Sequence, residues 1–303
     1  MTQRFLPYRG IALKISATLA FALMNAIIKL LSEYPIGEIV FARSFFALIP
    51  VLIVASHGGD LARKLATRRP HVHIVRSLVG TSAMFCYFMS ILNLPLADST
   101  AYSFVMPIFS VILAAVMLGE AVGPYRWAAV AAGFGGVLLM IEPHGGIASL
   151  ATGGLSIGAG FGLFGALLAA FVVVFIRQMS ATENSEAIVF YFMVTSAVLS
   201  GITMAVDFRL PDGLGLLLLI LCGVFGGIGQ LCMTFSYRYA EPSLLAPFDY
   251  VAIVWASTLG FLIFSEVPTI EVVGGCAIVI AAGALITWRE RVRGQQKAKV
   301  QPL

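Results

Sequence analysis

Ten runs of about twenty apolar residues, with the charged residues gathered into the gaps between them, leave this chain few ways to fold. At about 1.5 Å of rise per residue, some 20 helical residues cross the roughly 30 Å hydrocarbon core of a bilayer. The runs fall near residues 11–31, 36–55, 73–92, 98–118, 124–142, 155–179, 187–206, 214–236, 243–264 and 270–288. They do not alternate apolar and polar residues as the strands of a membrane barrel do, so they read as helices. Charged residues make up 11% of the chain, against about 25% in soluble domains. The expected fold is therefore an all-α integral membrane protein with ten transmembrane helices, and the lipid bilayer is its first partner.

Threading ten spans alternately puts the flanking basic residues on one face, from Arg4, Arg9 and Lys14 through Arg69, Arg76 and Arg126 to Arg293 and Lys299, and leaves Arg209 on the other. Basic residues accumulate on the cytoplasmic side, which places both termini there. The net charge of +4 is then a topology signal, and no nucleic-acid partner is needed to explain it. The first span is too long for a signal-peptide core, so no cleavage is expected.

The segment Asp98–Glu142 consists of two apolar runs around a break at Gly119, Glu120, Gly123 and Pro124. Its layout returns in Leu244–Trp288, around Ser265, Glu266 and Pro268. Setting Glu120 against Glu266 pairs Val105 with Val251, Leu113 with Leu259, Ala131 with Ala277 and Leu139 with Leu285. Ile39, Val40 and Phe41 likewise match Ile188, Val189 and Phe190, while Lys29 and Arg177 each close a span. Five spans is an odd number, so the second copy enters the membrane from the opposite face. The chain divides into two inverted five-helix repeats, residues 1–146 and 147–303.

Polar residues inside spans mark the places that need a partner or a cavity. Span 1 carries Asn25 and Lys29 on one face; Lys29 reads as a helix-closing cation that complements the dipole and snorkels outward. Span 2 carries Arg43, either a structural ion pair with Glu33 or Glu38 or an anion-attracting cavity wall. Spans 3 and 4 bring Ser77, Thr81, Met84, Tyr87 and Phe88, then Ser99, Tyr102, Met106 and Ser110, with Pro107 breaking one backbone hydrogen bond. Glycines at 154, 158, 162 and 165 in span 6 read as close helix packing. Span 7 offers Tyr191 and Thr195, span 8 Gln230, and span 9 Asp249, Tyr250 and Trp255 behind a proline-distorted entry. Asp249 either meets a ligand or is bonded to a neighbour at the membrane edge. Cys86, Cys222, Cys232 and Cys276 read as apolar packing residues, and His57, His71, His73 and His144 as solvated loop residues, with no metal site. An intramembrane lipid-modifying enzyme needs a cluster of nucleophile, base or metal ligands, which the spans do not offer.

Three stretches carry a family resemblance: LPLADSTAYSFVMPIFSVILAAVMLGE from Leu94 to Glu120, the GPYRWAAVAAGFGGVLLM that follows from Gly123, and EPSLLAPFDYVAIVWASTLGFLIFSE from Glu241 to Glu266. They resemble the drug/metabolite transporter superfamily, in its EamA-like ten-helix branch. The resemblance implies a central substrate cavity ringed by spans 1–4 and 6–9, with spans 5 and 10 outside. Glu120 and Glu266 match the acidic residue that closes the fourth and ninth spans, a structural position at the mouth of a helix hairpin. The function implied is a secondary transporter of the bacterial inner membrane that moves a small amphipathic metabolite by alternating access, an amino acid in the export direction. The alternative is uptake of a riboflavin-like or S-adenosylmethionine-like metabolite. No cofactor is implied. In this reading Tyr87, Tyr102, Met106, Tyr250 and Trp255 supply apolar contacts to the substrate, while Asn25, Arg43, Gln230 and Asp249 orient it. Asp249, Glu120 and Glu266 are the available proton carriers.

Overall fold

The computed structural model describes residues 7–56, 65–67, 69–118, 123–144, 156–179, 183–240 and 242–300. Regular structure among them is entirely helical: α1 (Pro7–Leu30), α2 (Ile36–Ser56), α3 (Pro70–Asn93), α4 (Leu96–Ser103), α5 (Met106–Leu118), α6 (Pro124–Ile141), α7 (Ile157–Met179), α8 (Ser185–Met204), α9 (Gly213–Tyr239), α10 (Pro242–Leu245), α11 (Val251–Phe264) and α12 (Ile270–Val300). Among the described residues nine segments are long and apolar enough to cross a bilayer, and the shorter apolar stretch Ile270–Leu285 of α12 supplies the tenth span. Phe45, Ile49, Ile53, Phe261 and Leu262 point outward, as lipid-facing side chains must.

The fourth and ninth spans are broken where their prolines sit. Pro107 has no N–H to return to the preceding turn, so α4 ends at Ser103 and α5 restarts at Met106. Ser99, Thr100 and Ser103 turn their hydroxyls back onto carbonyls of the same short helix, a pattern that bends helices. In the ninth span Pro247 lies within a 3₁₀ turn, Ala246–Tyr250, ahead of α11. The two breaks meet. Phe104 and Tyr250, which the register of the repeats makes equivalent, stack edge to face with centroids 5.3 Å apart.

Helix contacts come in exchangeable pairs. α1 packs on α9 as α7 packs on α3; α2 packs on α9 as α8 packs on α3; and α1 packs on α11 as α7 packs on α4 and α5. The pairs α2 with α8, α4 with α11 and α6 with α12 map onto themselves. Every odd-numbered span starts at one end of the bundle, here called the terminal face because α1 begins there; the other end is the distal face. Two clusters of buried side chains fill the interior. One joins α4 to α7 and α12, and the other joins α1 to α3, α9 and α11.

Outside the ring, α6 and α12 touch at reciprocal glycines. A Cβ on Gly136 would stand 2.7 Å from the Gly275 carbonyl oxygen, and one on Gly275 would stand 2.4 Å from that of Gly136. Neither backbone can yield to a side chain. Gly135 next door has nothing within 4 Å. Gly136→Ala is therefore expected to lower stability by about 1–3 kcal/mol, whereas Gly135→Ala should raise it by about 0.5–1 kcal/mol. Thermal unfolding of the purified variants in detergent separates the two outcomes.

Candidate functional site

A cavity of about 380 Å³ lies between the repeats. α1 lines it with Thr18, Phe21, Ala22, Met24 and Asn25, positions that recur at helical spacing along one stripe. Arg43 comes from α2, Met84, Tyr87 and Phe88 from α3, and Thr100, Ser103 and Met106 from either side of the break in the fourth span. Across from them stand Gly162, Gly165 and Ala166 of α7, Phe192 of α8 and Ala252 of α11. The α7 glycines let that helix lie against α3: a Cβ on Gly165 would meet Cys86 Cβ at 3.1 Å, and one on Gly162 would meet Ser90 Oγ at 2.9 Å.

The wall is aromatic and aliphatic with few polar atoms, and those atoms are incompletely paired. Asn25 Nδ2 donates to the Tyr87 hydroxyl at 2.9 Å, while Asn25 Oδ1 is buried without a partner. The Arg43 guanidinium reaches the thioether sulfur of Met193 at 3.4 Å, a weak acceptor, and its Nε is unpartnered. Groups of this kind are costly to bury dry, and they are the donors and acceptors a polar ligand would find.

Both ends of the α1 stripe are fastened to the ninth span. Lys14, four residues before Thr18, is 1% exposed, lies 2.6 Å from Asp249 and donates to the Tyr237 hydroxyl at 3.1 Å. Lys29, four residues after Asn25, pairs with Glu266 and donates to the Leu94 carbonyl at 2.6 Å. The other oxygen of Glu266 accepts the Leu96 N–H at 2.9 Å. The chain holds that carboxylate in place by turning at Ser265, which adopts φ 56°, so that the Glu266 N–H closes on the Gly260 carbonyl. This is a helix-ending motif that usually recruits glycine. Further pairs flank the cavity: His144 with Asp98 at 3.1 Å on the distal face, and His73 with Glu183 at 3.0 Å on the terminal face. The His73 bond holds the Glu183 carboxyl below the usual carboxylate range.

Of the residues expected to contact a ligand, Asn25, Arg43, Tyr87 and Met106 stand on the cavity wall. Tyr102 is fully buried and donates to the Met140 carbonyl at 3.0 Å. Gln230 lies on α9 off the wall, Asp249 is engaged by Lys14, Tyr250 stacks on Phe104, and Trp255 keeps a buried indole N–H without a partner one turn past Ala252. Several local expectations are corrected. Glu33 and Glu38 do not reach Arg43; both hold Arg209, because five residues separate Glu38 from Arg43 and turn them to different faces. Lys29 does not snorkel, since Glu266 and the Leu94 carbonyl of the α3–α4 link are within reach. His73 and His144 are not solvated loop residues but partly or wholly buried partners of acids. Arg76, counted with the flanking basic residues, is 7% exposed inside the bundle. Span 7 presents Phe192 to the cavity and turns Tyr191 against His73. Glu120 lies outside the described residues.

The chain matches the model of the EamA-like transporter family twice, over residues 8–142 and 156–288. It is 31% identical to the pseudopaline exporter of Pseudomonas aeruginosa over 91% of this chain and 95% of that protein. It is 26% identical to a riboflavin transporter of Rhizobium johnstonii, covering 93% and 92%, and 27% identical to an S-adenosylmethionine uptake transporter of Rickettsia felis, covering 87% of each. One solved crystal structure superposes with a TM-score of 0.62 at 20% identity, covering 93% of this chain and 97% of that one; it shares the fold.

The distal fastening differs from a simple ion pair, because both side chains also satisfy backbone groups. Lys29→Met and Glu266→Gln are each expected to cost about 2–3 kcal/mol. The charge-reversed double variant, Lys29→Glu with Glu266→Lys, should be no more stable than either single change, since a lysine cannot accept the Leu96 N–H. Recovery of wild-type thermal stability in the reversed pair would show that charge alone holds this end.

Proposed function

The chain belongs to the EamA-like transporter family, a small-molecule transporter family by its named relatives, and we propose that it exports an amino acid or a similarly small amphipathic metabolite across the bacterial inner membrane by alternating access. The observation that carries this reading is the cavity between two fastened ends. Its volume of about 380 Å³ sits at the small end of the roughly 300–1,000 Å³ typical of small-molecule sites. Its aromatic and thioether walls suit an apolar side chain, and Asn25 and Arg43 suit the polar end of the same molecule. Export is what the pseudopaline relative performs, while the S-adenosylmethionine relatives favour uptake.

Alternating access requires that a path open at one face while the other stays shut. The two fastenings of α1 to the ninth span supply such a pair, with both termini on the cytoplasmic side and Lys29–Glu266 on the outside. Parting α1 from the ninth span at Lys14 frees the inner end; parting it at Lys29 frees the outer end. A proton taken up by Asp249 or Glu266 removes the charge its lysine needs, and this couples a proton gradient to opening.

In proteoliposomes the purified protein is expected to move at least one labelled amino acid of a broad panel, and absence of flux across the panel refutes the reading. Ala252→Phe, which fills the cavity without touching either fastening, should cut flux at least about tenfold at an unchanged unfolding temperature. Asp249→Asn should flatten the pH dependence of flux; a variant that keeps the full wild-type pH profile removes Asp249 from proton coupling.

A further inference from the structure

Two arginines inside the bundle carry charge that no acid among the described residues answers. Arg43 and Arg76 are each 7% exposed. Arg43 has the Met193 sulfur for a contact and an unpartnered Nε. Arg76 lies over the Phe192 ring at 4.2 Å, with Nε and one terminal nitrogen unpartnered. Beside each in sequence stands a hydroxyl, Ser44 and Ser77, that is buried and also lacks a partner. Lys14 and Lys29, by contrast, each meet a carboxylate.

The packing makes room for these cations instead of excluding them. A Cβ on Gly226 would stand 3.0 Å from Met24 Sδ and 3.5 Å from Arg43 Nε, and one on Gly80 would stand 3.0 Å from the Phe192 ring and 3.6 Å from Arg76. Bare helix backbone therefore backs both side chains. Arg43 and Phe192 line the cavity, so the ring that carries Arg76 on one side meets a cavity occupant with the rest of its surface. Unpaired cations in an apolar interior are expensive, and a membrane protein keeps them where something supplies the opposite charge.

We propose that Arg43 is the anion subsite of the cavity and binds the carboxylate of the transported metabolite, with Arg76 behind the Phe192 ring as a second positive charge that favours an anion there, while Phe21, Tyr87, Phe88 and Met106 hold its apolar part. The guanidinium fork of Arg43 matches the two oxygens of a carboxylate, and its unpartnered Nε leaves donor capacity for one. This assignment rests on the transport reading and adds the chemical class of the substrate to it.

The test uses the full chain in proteoliposomes and nanodiscs, with a panel of L-amino acids and the corresponding L-amino acid amides, which keep the side chain and the ammonium but lose the carboxylate. The acid form of the transported amino acid should bind at least about tenfold more tightly than its amide. Arg43→Met should abolish that preference and Arg76→Met should weaken it, while each leaves the unfolding temperature of the ligand-free protein unchanged or higher, because each removes a buried charge that lacks a partner. Equal handling of acids and amides, with flux of both, overturns the subsite and leaves transport standing. Flux of neither form across the panel overturns transport and the subsite with it. A lowered unfolding temperature in both variants, with the preference for acids intact, assigns the arginines to structure and overturns the proposal.

Discussion

A cation inside a bilayer must find an acid, a carbonyl or water, and the first helix meets that demand at both of its ends. Lys14 and Lys29 are fifteen residues apart on α1, and each is answered by the ninth span, one by Asp249 and the other by Glu266. The first half of the chain is thereby held to the second by charge at two depths, with an apolar cavity between them. Lipid offers little hydrophobic drive for one helix to seek another. Close packing at glycines and a few neutralised charges therefore hold this bundle together, and the cavity lies along the stretch of α1 between its two neutralised lysines.

The inverted repeat supplies the scaffold, and departures from it supply the site. Phe104 and Tyr250 stand at equivalent breaks and pack on each other. One step along, Met106 and Ala252 are also equivalent and both line the cavity, but one fills space and the other leaves it. The register that pairs Ile39 with Ile188 makes Arg43 and Phe192 equivalent, and both line the cavity, so one copy brings a cation to the wall where the other brings an aromatic ring. A strictly symmetric dimer of the ancestral half would have two cations or two rings there. Divergence at positions such as these two makes the cavity polar on one side and apolar on the other.

Much of this was legible in the sequence, for physical reasons. Span length, the crowding of charge into gaps and the odd number of spans per half follow from the thickness of a bilayer and the cost of burying charge, and the helices fall where those rules put them. Pro107 announced the break in the fourth span, and the glycines of α7 announced close packing. What failed was pairing across the chain. Glu266 was visible as the residue closing a hairpin, yet its partner Lys29 lies 237 positions away, and no local pattern joins them. Arg76 looked like one more flanking cation because its distance from the span end is that of a snorkelling residue; its inward turn depends on Phe192, a phenylalanine among many. His73 and His144 looked like loop residues because the acids that bury them, Glu183 and Asp98, lie far along the chain from them. Tyr102 carried the clearest polar signal of the fourth span and spends it on a backbone carbonyl of α6.

The link between α3 and α4 is only two residues, Leu94 and Pro95, and it is too short to stretch. Lys29 grips its carbonyl on one side, and Glu266 grips the amide just beyond it on the other. One elbow of backbone is thus shared by elements from both halves of the molecule, each holding a different atom of it. Neither grip can loosen by degrees, since releasing one deprives the other of the counter-charge that sustains it. A joint built this way behaves as a snap fastener: displacement of either half does little until the three parts separate together, so opening at this face is cooperative from the geometry of a single short turn.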